Sequence, residues 1–161
     1  MRFFLVDKVT ELVPGERARG VKCVTLTDQI LHDHFPDHPI FPGSLLIEGL
    51  AQLSGFLIET SRKPGEGRAM PDRAVLAQID KAKFHKPAWA GDAIELTATL
   101  VSELDAAAVT EVTASVAGTE IARAKLTFMM MRVDSAAVQE QRRALYRVWT
   151  RELPNKPDGL A

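Results

Sequence analysis

A chain of 161 residues is long enough to bury the core of one domain and leaves room for a small appendage. Hydrophobic residues make up 46% of the sequence and charged residues 25%, a balance typical of a soluble globular protein. With 20 Lys and Arg against 21 Asp and Glu, the net charge of -1 gives no reason to expect nucleic acid or a membrane surface as the main partner.

The first elements are two predicted strands, 3–13 and 19–27, separated by a turn at "PGER". The single cysteine, Cys23, lies in the second strand and is expected to be a small core residue. One cysteine forms no disulfide within the chain, which fits a reducing compartment. The N-terminal run has no long apolar stretch of the signal-peptide kind, so we expect a cytoplasmic protein.

A long apolar segment follows an irregular one. Residues 28–43 are expected to be irregular because their three prolines are incompatible with a continuous helix. Residues 44–62, "SLLIEGLAQLSGFLIETSR", are apolar on nearly every side over a helical length. This pattern predicts a helix inside the fold, and the polar interruptions leave it too short to cross a bilayer. A loop over 63–71 comes next.

Four more strands are predicted, at 72–84, 92–104, 106–117 and 119–131. In the second and the last of these, apolar and polar residues alternate, which indicates an antiparallel sheet with one solvated side. The residues expected to face inward are Ile94, Leu96, Ala98, Leu100 and Leu104 in one strand, and Ala122, Ala124, Leu126, Phe128 and Met130 in the other. We therefore predict an α+β fold, with an antiparallel sheet of five to six strands wrapped around one central buried helix.

The composition changes after Met131, so we divide the chain into a domain over 1–131 and an extension over 132–161. The extension is predicted to be an amphipathic helix over 134–152, starting at Asp134 or Ser135, with a flexible tail. The residues expected on its apolar side are Val138, Leu145, Val148 and Trp149. Its sequence suggests no chemistry.

The chemistry-bearing stretch is "HDHFPDHPIFPGSLLIEGLAQ", residues 32–52. Glu48 lies in the predicted buried helix, where burial would favour its neutral form and make it a proton donor near neutral pH. Gln52, one turn later, could hold that carboxyl in place. His34 lies on the other side of the prolines and, when neutral, is a base.

Gly43 adds a third element at the start of the predicted helix. Backbone N–H groups there have no intrahelical partner, and the helix dipole favours negative charge. A backbone donor at Gly43, a base at His34 and an acid at Glu48 together suit one reaction type. It is proton abstraction beside a thioester-like carbonyl, followed by loss of a protonated leaving group.

The same residues also allow simpler interpretations. His34 could cap a loop carbonyl, Glu48 could find solvent or an Arg partner, and Gln52 could be a plain helix former. The histidines at 32, 34 and 38 with their neighbouring aspartates could suggest a metal site, although the prolines constrain that loop. Ser44 lacks the G-x-S-x-G elbow of a serine hydrolase.

The stretch "HFPDHPIFPGSLLIEGLAQ" resembles the signature of the β-hydroxyacyl-(acyl carrier protein) dehydratases, the FabZ-like family with the hotdog fold. "FLVDKVTEL" and "IDKAKFHKPAWAGD" resemble two further blocks of that family, so the likeness extends over residues 3–131. The chain departs from the family pattern at Asp33, where Gly is usual, and at Ser44, where Val is usual. The signature residues that match are His34, Phe35, Pro36, Pro39, Pro42, Gly43, Glu48 and Gln52.

The resemblance implies a hydro-lyase that converts (3R)-3-hydroxyacyl-acyl carrier protein to the trans-2-enoyl product in fatty acid or related specialised acyl synthesis. His34 would take the α-proton, Glu48 would protonate the departing hydroxyl, and the Gly43 amide would hold the thioester oxygen. Gln52, Phe35 and Pro42 would support them. His34 and Glu48 would meet across a homodimer interface, in a dimer alone or within a trimer of dimers.

The resemblance also implies no metal and no organic cofactor, and an acyl carrier protein whose phosphopantetheine arm delivers the acyl chain. Because carrier proteins are acidic, a basic docking surface is expected at Lys81, Lys83 and Lys86, with further candidates at Arg62, Lys63, Arg68 and Arg73. Two alternatives remain: a hotdog acyl thioesterase, and a non-catalytic subunit that binds acyl thioesters.

Overall fold

The computed structural model describes residues 3–65 and 70–157, which form one antiparallel sheet and three helices. The strands follow the sheet order β1-β2-β4-β5-β6-β3, so β1 and β3 are its two edges. In chain order the elements are β1 (Lys8–Val13), β2 (Arg17–Cys23), α1 (Ile30–Asp33), α2 (Gly43–Ser61), β3 (Arg73–Phe84), β4 (Ala93–Glu103), β5 (Ala107–Val116), β6 (Thr119–Met131) and α3 (Ala136–Trp149).

Helix α2 lies against one face of the sheet and forms the core with it, which confirms the predicted α+β architecture. Leu50, Leu53 and Phe56 of the helix are completely buried, as the apolar sequence predicts. The inward residues of β4 and β6 meet them: Ile94, Leu96, Ala98, Ala122, Ala124, Leu126 and Phe128 are all buried. Within the described ranges, no helix is long and apolar enough to cross a membrane.

Three details differ from the sequence expectations. Leu104 is 72% exposed because it lies just past the end of β4, in the turn to β5, where its amide donates to the Ala107 oxygen. Cys23 is exposed, since alternation along β2 turns Lys22 inward instead, toward Asp7 and Asp28. The segment predicted to be irregular contains the four-residue helix α1 ahead of its prolines.

Helix α3 is shorter than predicted, and of the residues expected on its apolar side Trp149 is buried and Leu145 partly buried, whereas the two valines are exposed. It begins after Ser135, whose hydroxyl accepts a hydrogen bond from the Val138 amide. Val138 and Val148, predicted to pack inward, are exposed. The residues that face the domain are Gln139, Arg142, Tyr146 and Trp149. Polar groups replace the valines on the buried side because α3 covers a buried carboxylate of α2, described below. Residues 158–161 of the predicted tail lie outside the described ranges.

Candidate active site

His34 is half-buried in a loop that folds back on itself. Its backbone oxygen accepts from the Ile40 amide at 3.1 Å, and its ring Nδ1 lies 3.1 Å from the Ile40 oxygen. Because a carbonyl only accepts, this contact requires the proton on Nδ1 and leaves Nε2 of the neutral ring as the basic nitrogen. The Phe35 ring stacks on the imidazole with centroids 4.4 Å apart. The loop therefore fixes both the tautomer and the orientation of the ring.

Pro42 joins this loop to α2. Its extended backbone makes it the N-cap residue of the helix, and its carbonyl accepts from the Leu46 amide at 3.0 Å. The amides of the first helical turn, beginning with Gly43, precede any intrahelical acceptor. Phe41, just before, is tied to the neighbouring chain segment through its amide, which donates to the Ala88 oxygen at 2.8 Å. The start of the helix is thus held in place from both sides.

Gly43 lines a groove of about 410 Å³ at this end of the helix. A Cβ at this position would meet the Phe84 ring at 2.9 Å, closer than real contacts allow. Only glycine fits without moving that ring, and its backbone stays open to a ligand. The groove is lined by Ile40, Phe41, Gly43, Leu46, Phe84, His85, Lys86, Pro87 and Ala88.

Glu48 is exposed in the single chain, so the expectation of a buried Glu48 is wrong. The helix is apolar over most of its circumference, but Glu48 lies on the side that borders a pocket. Gln52 donates a 3.0 Å hydrogen bond from Nε2 to Oε1 of Glu48. The same amide accepts from the Leu5 N–H at 3.0 Å and donates to the Phe3 oxygen at 3.0 Å. Gln52 therefore fixes the carboxyl against the N-terminal segment.

The pocket beside Glu48 has a volume of about 260 Å³ and runs along one side of α2. Strands β3 and β6 form one wall, and the N-terminal segment and α3 form the other. Its lining residues are Phe3, Phe4, Glu48, Ala51, Gln52, Gly55, Glu59, Arg73, Ala74, Leu76, Phe128, Leu145, Tyr146 and Trp149. His34 is not among them, so the single chain does not bring His34 and Glu48 into this pocket together.

The buried acid of α2 is Glu59, which sequence analysis missed. It is 1% exposed and accepts hydrogen bonds from the Ala74 amide at 2.9 Å and the Tyr146 phenol at 2.5 Å. Arg142 and Arg73 lie 3.5 and 3.7 Å from its oxygens. Burial raises the pKa of Glu59, and the two guanidinium groups oppose that shift only in part. The available signal was its spacing, eleven residues after Glu48 on the same side of the helix.

The predicted docking residues divide into two groups. Lys81, Lys83 and Lys86 are exposed on or just after edge strand β3, and Lys86 lines the Gly43 groove. A bulge between Asp80 and Lys83 breaks the alternation that would have put Lys81 and Lys83 on one side of the strand.

The other arginine candidates are engaged within the fold. Arg62 contacts Glu103 at 2.5 Å and donates to the Asp105 carbonyl, and Arg73 faces Glu59. Arg68 lies outside the described residues, and Lys63 is exposed. Among the residues that the structure describes, no group of three or more His, Cys, Asp or Glu is arranged to hold a metal ion.

Known proteins resemble this chain over most of its length. A family model described as a FabA-like domain matches residues 1–125. The 3-hydroxyacyl-(acyl-carrier-protein) dehydratase FabZ of a Nitratiruptor species is 37% identical, over 80% of this chain and 88% of that protein. FabZ of Enterococcus faecalis is 38% identical over 80% and 87%, and FabZ of Myxococcus xanthus is 32% identical over 85% and 88%.

Solved structures share the fold at lower identity. The smu.793 protein from Streptococcus mutans UA159, bound to acetyl CoA, superposes with a TM-score of 0.63 at 20% identity, over 81% of this chain and 93% of that one. The dehydratase heterocomplex ApeI:P from Xenorhabdus doucetiae gives 0.61 at 17% identity, over 86% and 90%. The predicted hotdog fold is confirmed, and the chain belongs to the FabA-like family, on its FabZ-like dehydratase branch.

Proposed function

We propose that this chain dehydrates (3R)-3-hydroxyacyl-acyl carrier protein to the trans-2-enoyl thioester. The observation that carries the proposal is that the signature segment supplies both an oriented imidazole and a pocket-lining carboxyl. His34 presents Nε2 as a base, and Gln52 holds Glu48 at the mouth of the α2 pocket. The FabZ relatives carry this activity in their names.

The two groups act from opposite subunits of a homodimer. This assembly accounts for the absence of His34 from the pocket that Glu48 lines. The second subunit and the bound substrate then cover Glu48 and exclude bulk water from the proton transfer. Edge strand β3, with Ile79 and Phe84 exposed along it, offers backbone and apolar surface for such pairing.

The reaction is a single elimination of water. His34 Nε2 takes a proton from C2 of the acyl chain, and the electrons of that C–H bond form the C2–C3 double bond as the C3–oxygen bond breaks. Glu48 gives its proton to the departing hydroxyl, which leaves as water. The charge that develops on the thioester oxygen is held by the Gly43 amide at the positive end of α2.

The acyl carrier protein approaches over the Gly43 groove. Lys86 lines that groove, and Lys81 and Lys83 are exposed beside it on β3. These cations attract an acidic carrier, while the phosphopantetheine arm follows the groove to the start of α2 and the acyl chain enters the pocket beyond Glu48.

The test is a dehydration assay on 3-hydroxyacyl-acyl carrier protein that follows enoyl absorbance and free thiol together. We expect enoyl product without thiol release, and a loss of most activity in His34→Ala and Glu48→Gln with folding retained. Matched controls are His32→Ala and Glu111→Gln, which change exposed residues. Thiol release would indicate a thioesterase instead, and binding without turnover would indicate a non-catalytic acyl-thioester subunit.

A further inference from the structure

We propose that helix α3 and Glu59 close the far end of the α2 pocket and so restrict the enzyme to short and medium acyl chains. This inference rests on the proposed dehydratase function, because it assigns the pocket to the acyl chain of that substrate. It adds a specificity-determining role for the C-terminal extension, whose residues from Ala136 onward lie beyond the 1–125 segment that matches the FabA-like family model.

The pocket has a defined length along the helix. Its α2 residues are Glu48, Ala51, Gln52, Gly55 and Glu59, which recur at the spacing of one helical side. Eleven residues of α-helix rise roughly 16 Å, so this distance separates the proposed acid from the buried carboxyl. An acyl chain that starts at Glu48 and follows the helix reaches the Glu59 cluster at the end of that span.

The middle of the pocket accommodates a hydrocarbon chain. Ala51, Gly55, Leu76 and Phe128 line it with apolar surface. A Cβ built on Gly55 would have the Ala74 oxygen, at 3.9 Å, as its nearest neighbour. The absence of a side chain at Gly55 therefore leaves open space along the route of the acyl chain. No close backbone contact requires glycine at this position.

The far end of the pocket is closed by groups whose displacement by a hydrocarbon terminus would cost substantial free energy. Glu59 is held by the phenol of Tyr146 and the amide of Ala74, and moving either one leaves a buried carboxyl without its partners. Arg142 donates to the Pro71 oxygen at 2.7 Å and so anchors α3 to the segment before β3. The closure is thus built from buried polar contacts as well as from packing.

Aromatic packing fixes the same wall. The rings of Phe56 and Tyr146 meet edge-on with centroids 5.0 Å apart, and Tyr146 stacks on Trp149 at 5.6 Å. Tyr146 and Trp149 are almost completely buried, while Leu145 faces the pocket from the same helix. Helix α3 therefore acts as a packed wall of the pocket, and its side chains determine where the acyl chain must end.

The test is a series of 3-hydroxyacyl thioesters of four, eight, twelve and sixteen carbons, assayed with the full chain. For the wild type we expect kcat/KM for the eight-carbon substrate to exceed that for the sixteen-carbon one at least roughly tenfold, which corresponds to about 1.4 kcal/mol. Leu145→Ala and Tyr146→Ala should raise kcat/KM for the sixteen-carbon substrate by roughly tenfold, because each removes part of the wall.

Three variants make the series specific. Gly55→Leu places a side chain in the open space and should shift the preference to the four-carbon substrate. Tyr146→Phe keeps the ring and should keep the wild-type chain-length profile. Val148→Ala, on the exposed side of α3, is the matched control and should leave the profile unchanged. If Tyr146→Ala does not fold, the other two variants still test the closure. Leu145→Ala should favour longer acyl chains and Gly55→Leu shorter ones.

The outcomes separate the two proposals. The closure is overturned if the protein dehydrates its substrates but the chain-length profile stays the same in Leu145→Ala, Tyr146→Ala and Gly55→Leu. The proposed function would then still stand. A wild type that prefers the sixteen-carbon substrate overturns the closure as well. Absence of dehydration at every chain length overturns the proposed function itself.

Discussion

Tyr146 donates a 2.5 Å hydrogen bond from its phenol to Oε2 of Glu59 and so joins two helices through residues 87 positions apart in the sequence. Both side chains are buried, and Glu59 also binds the amide of Ala74 at the start of β3. One carboxyl thereby ties together the central helix, an edge strand and the C-terminal extension. The extension is consequently part of the folded unit and forms a wall of the proposed acyl pocket.

Removing this hydrogen bond should destabilise the protein without changing its shape. In Tyr146→Phe the buried carboxyl of Glu59 loses its phenol donor, and we expect the free energy of unfolding to fall by about 1–3 kcal/mol. Urea denaturation followed by fluorescence measures this change, with Val148→Ala as the control on the exposed side of α3. An unfolding free energy equal to that of the wild type would mean that the phenol contributes nothing to stability.

The buried carboxyl should also make stability depend on pH. Burial raises the pKa of Glu59 above its ordinary value of 4.5, with Arg73 and Arg142 opposing the shift. A carboxyl whose pKa is higher in the folded state contributes stability that is complete below the unfolded value and is lost as the pH rises through the folded value. The difference in unfolding free energy between the wild type and Glu59→Gln should therefore decrease as the pH rises from 4.5.

Denaturation curves of both proteins across that pH range supply the difference. The control is Glu140→Gln, which changes an exposed carboxyl on α3 and should not reproduce the slope. A difference that grows with pH would show that Glu59 is held in its charged form, as an ordinary ion-paired carboxylate.

Gln52 should matter for both stability and activity. Gln52→Leu removes the donor to Glu48 and leaves the Leu5 amide and the Phe3 carbonyl without their side-chain partner. Because the groups left behind are partly exposed, we expect a loss of about 1 kcal/mol in unfolding free energy. We also expect a fall of roughly tenfold or more in kcat/KM, since the proposed acid is no longer positioned. Gln141→Leu, at an exposed position of α3, is the control. Full activity in Gln52→Leu would show that Gln52 is not needed to position Glu48.

The lysines near the Gly43 groove should affect the carrier protein and not the chemistry. Lys83→Glu and Lys86→Glu should each raise KM for the carrier-linked substrate by about threefold to tenfold, because they weaken attraction to an acidic partner. KM for a small 3-hydroxyacyl thioester without carrier should stay unchanged. Lys156→Glu, an exposed lysine near the C-terminus, is the matched control. Equal effects of all three reversals would point to net charge instead of a docking surface.

The sequence predicted the elements well because their signals are local. Alternation located β4 and β6, the apolar run located α2 to within a residue at each end, and the three prolines located the loop that carries His34. His34 lies in the loop, Gly43 begins α2 and Glu48 lies in its second turn, while the catalytic roles of these residues stay predictions.

Features that depend on distant residues could not be predicted in this way. A helix that is apolar on nearly every side does not reveal which of its polar residues is buried, so Glu48 was expected to be buried and Glu59 was overlooked. On α3 the prediction is wrong for Val138 and Val148 and right for Trp149, because Tyr146 and Arg142 turn inward to contact Glu59. Leu104 is likewise exposed because β4 ends one residue earlier than predicted and the chain turns there toward β5.

The most direct test of the central claim is the activity of a mixed dimer. His34→Ala and Glu48→Gln chains, each inactive alone, are co-expressed with different affinity tags and purified as the mixed species. If each site takes His34 from one subunit and Glu48 from the other, one of the two sites is intact, and dehydration should return to about half of the wild-type rate per dimer. A mixed dimer as inactive as its parents would contradict a site shared between subunits.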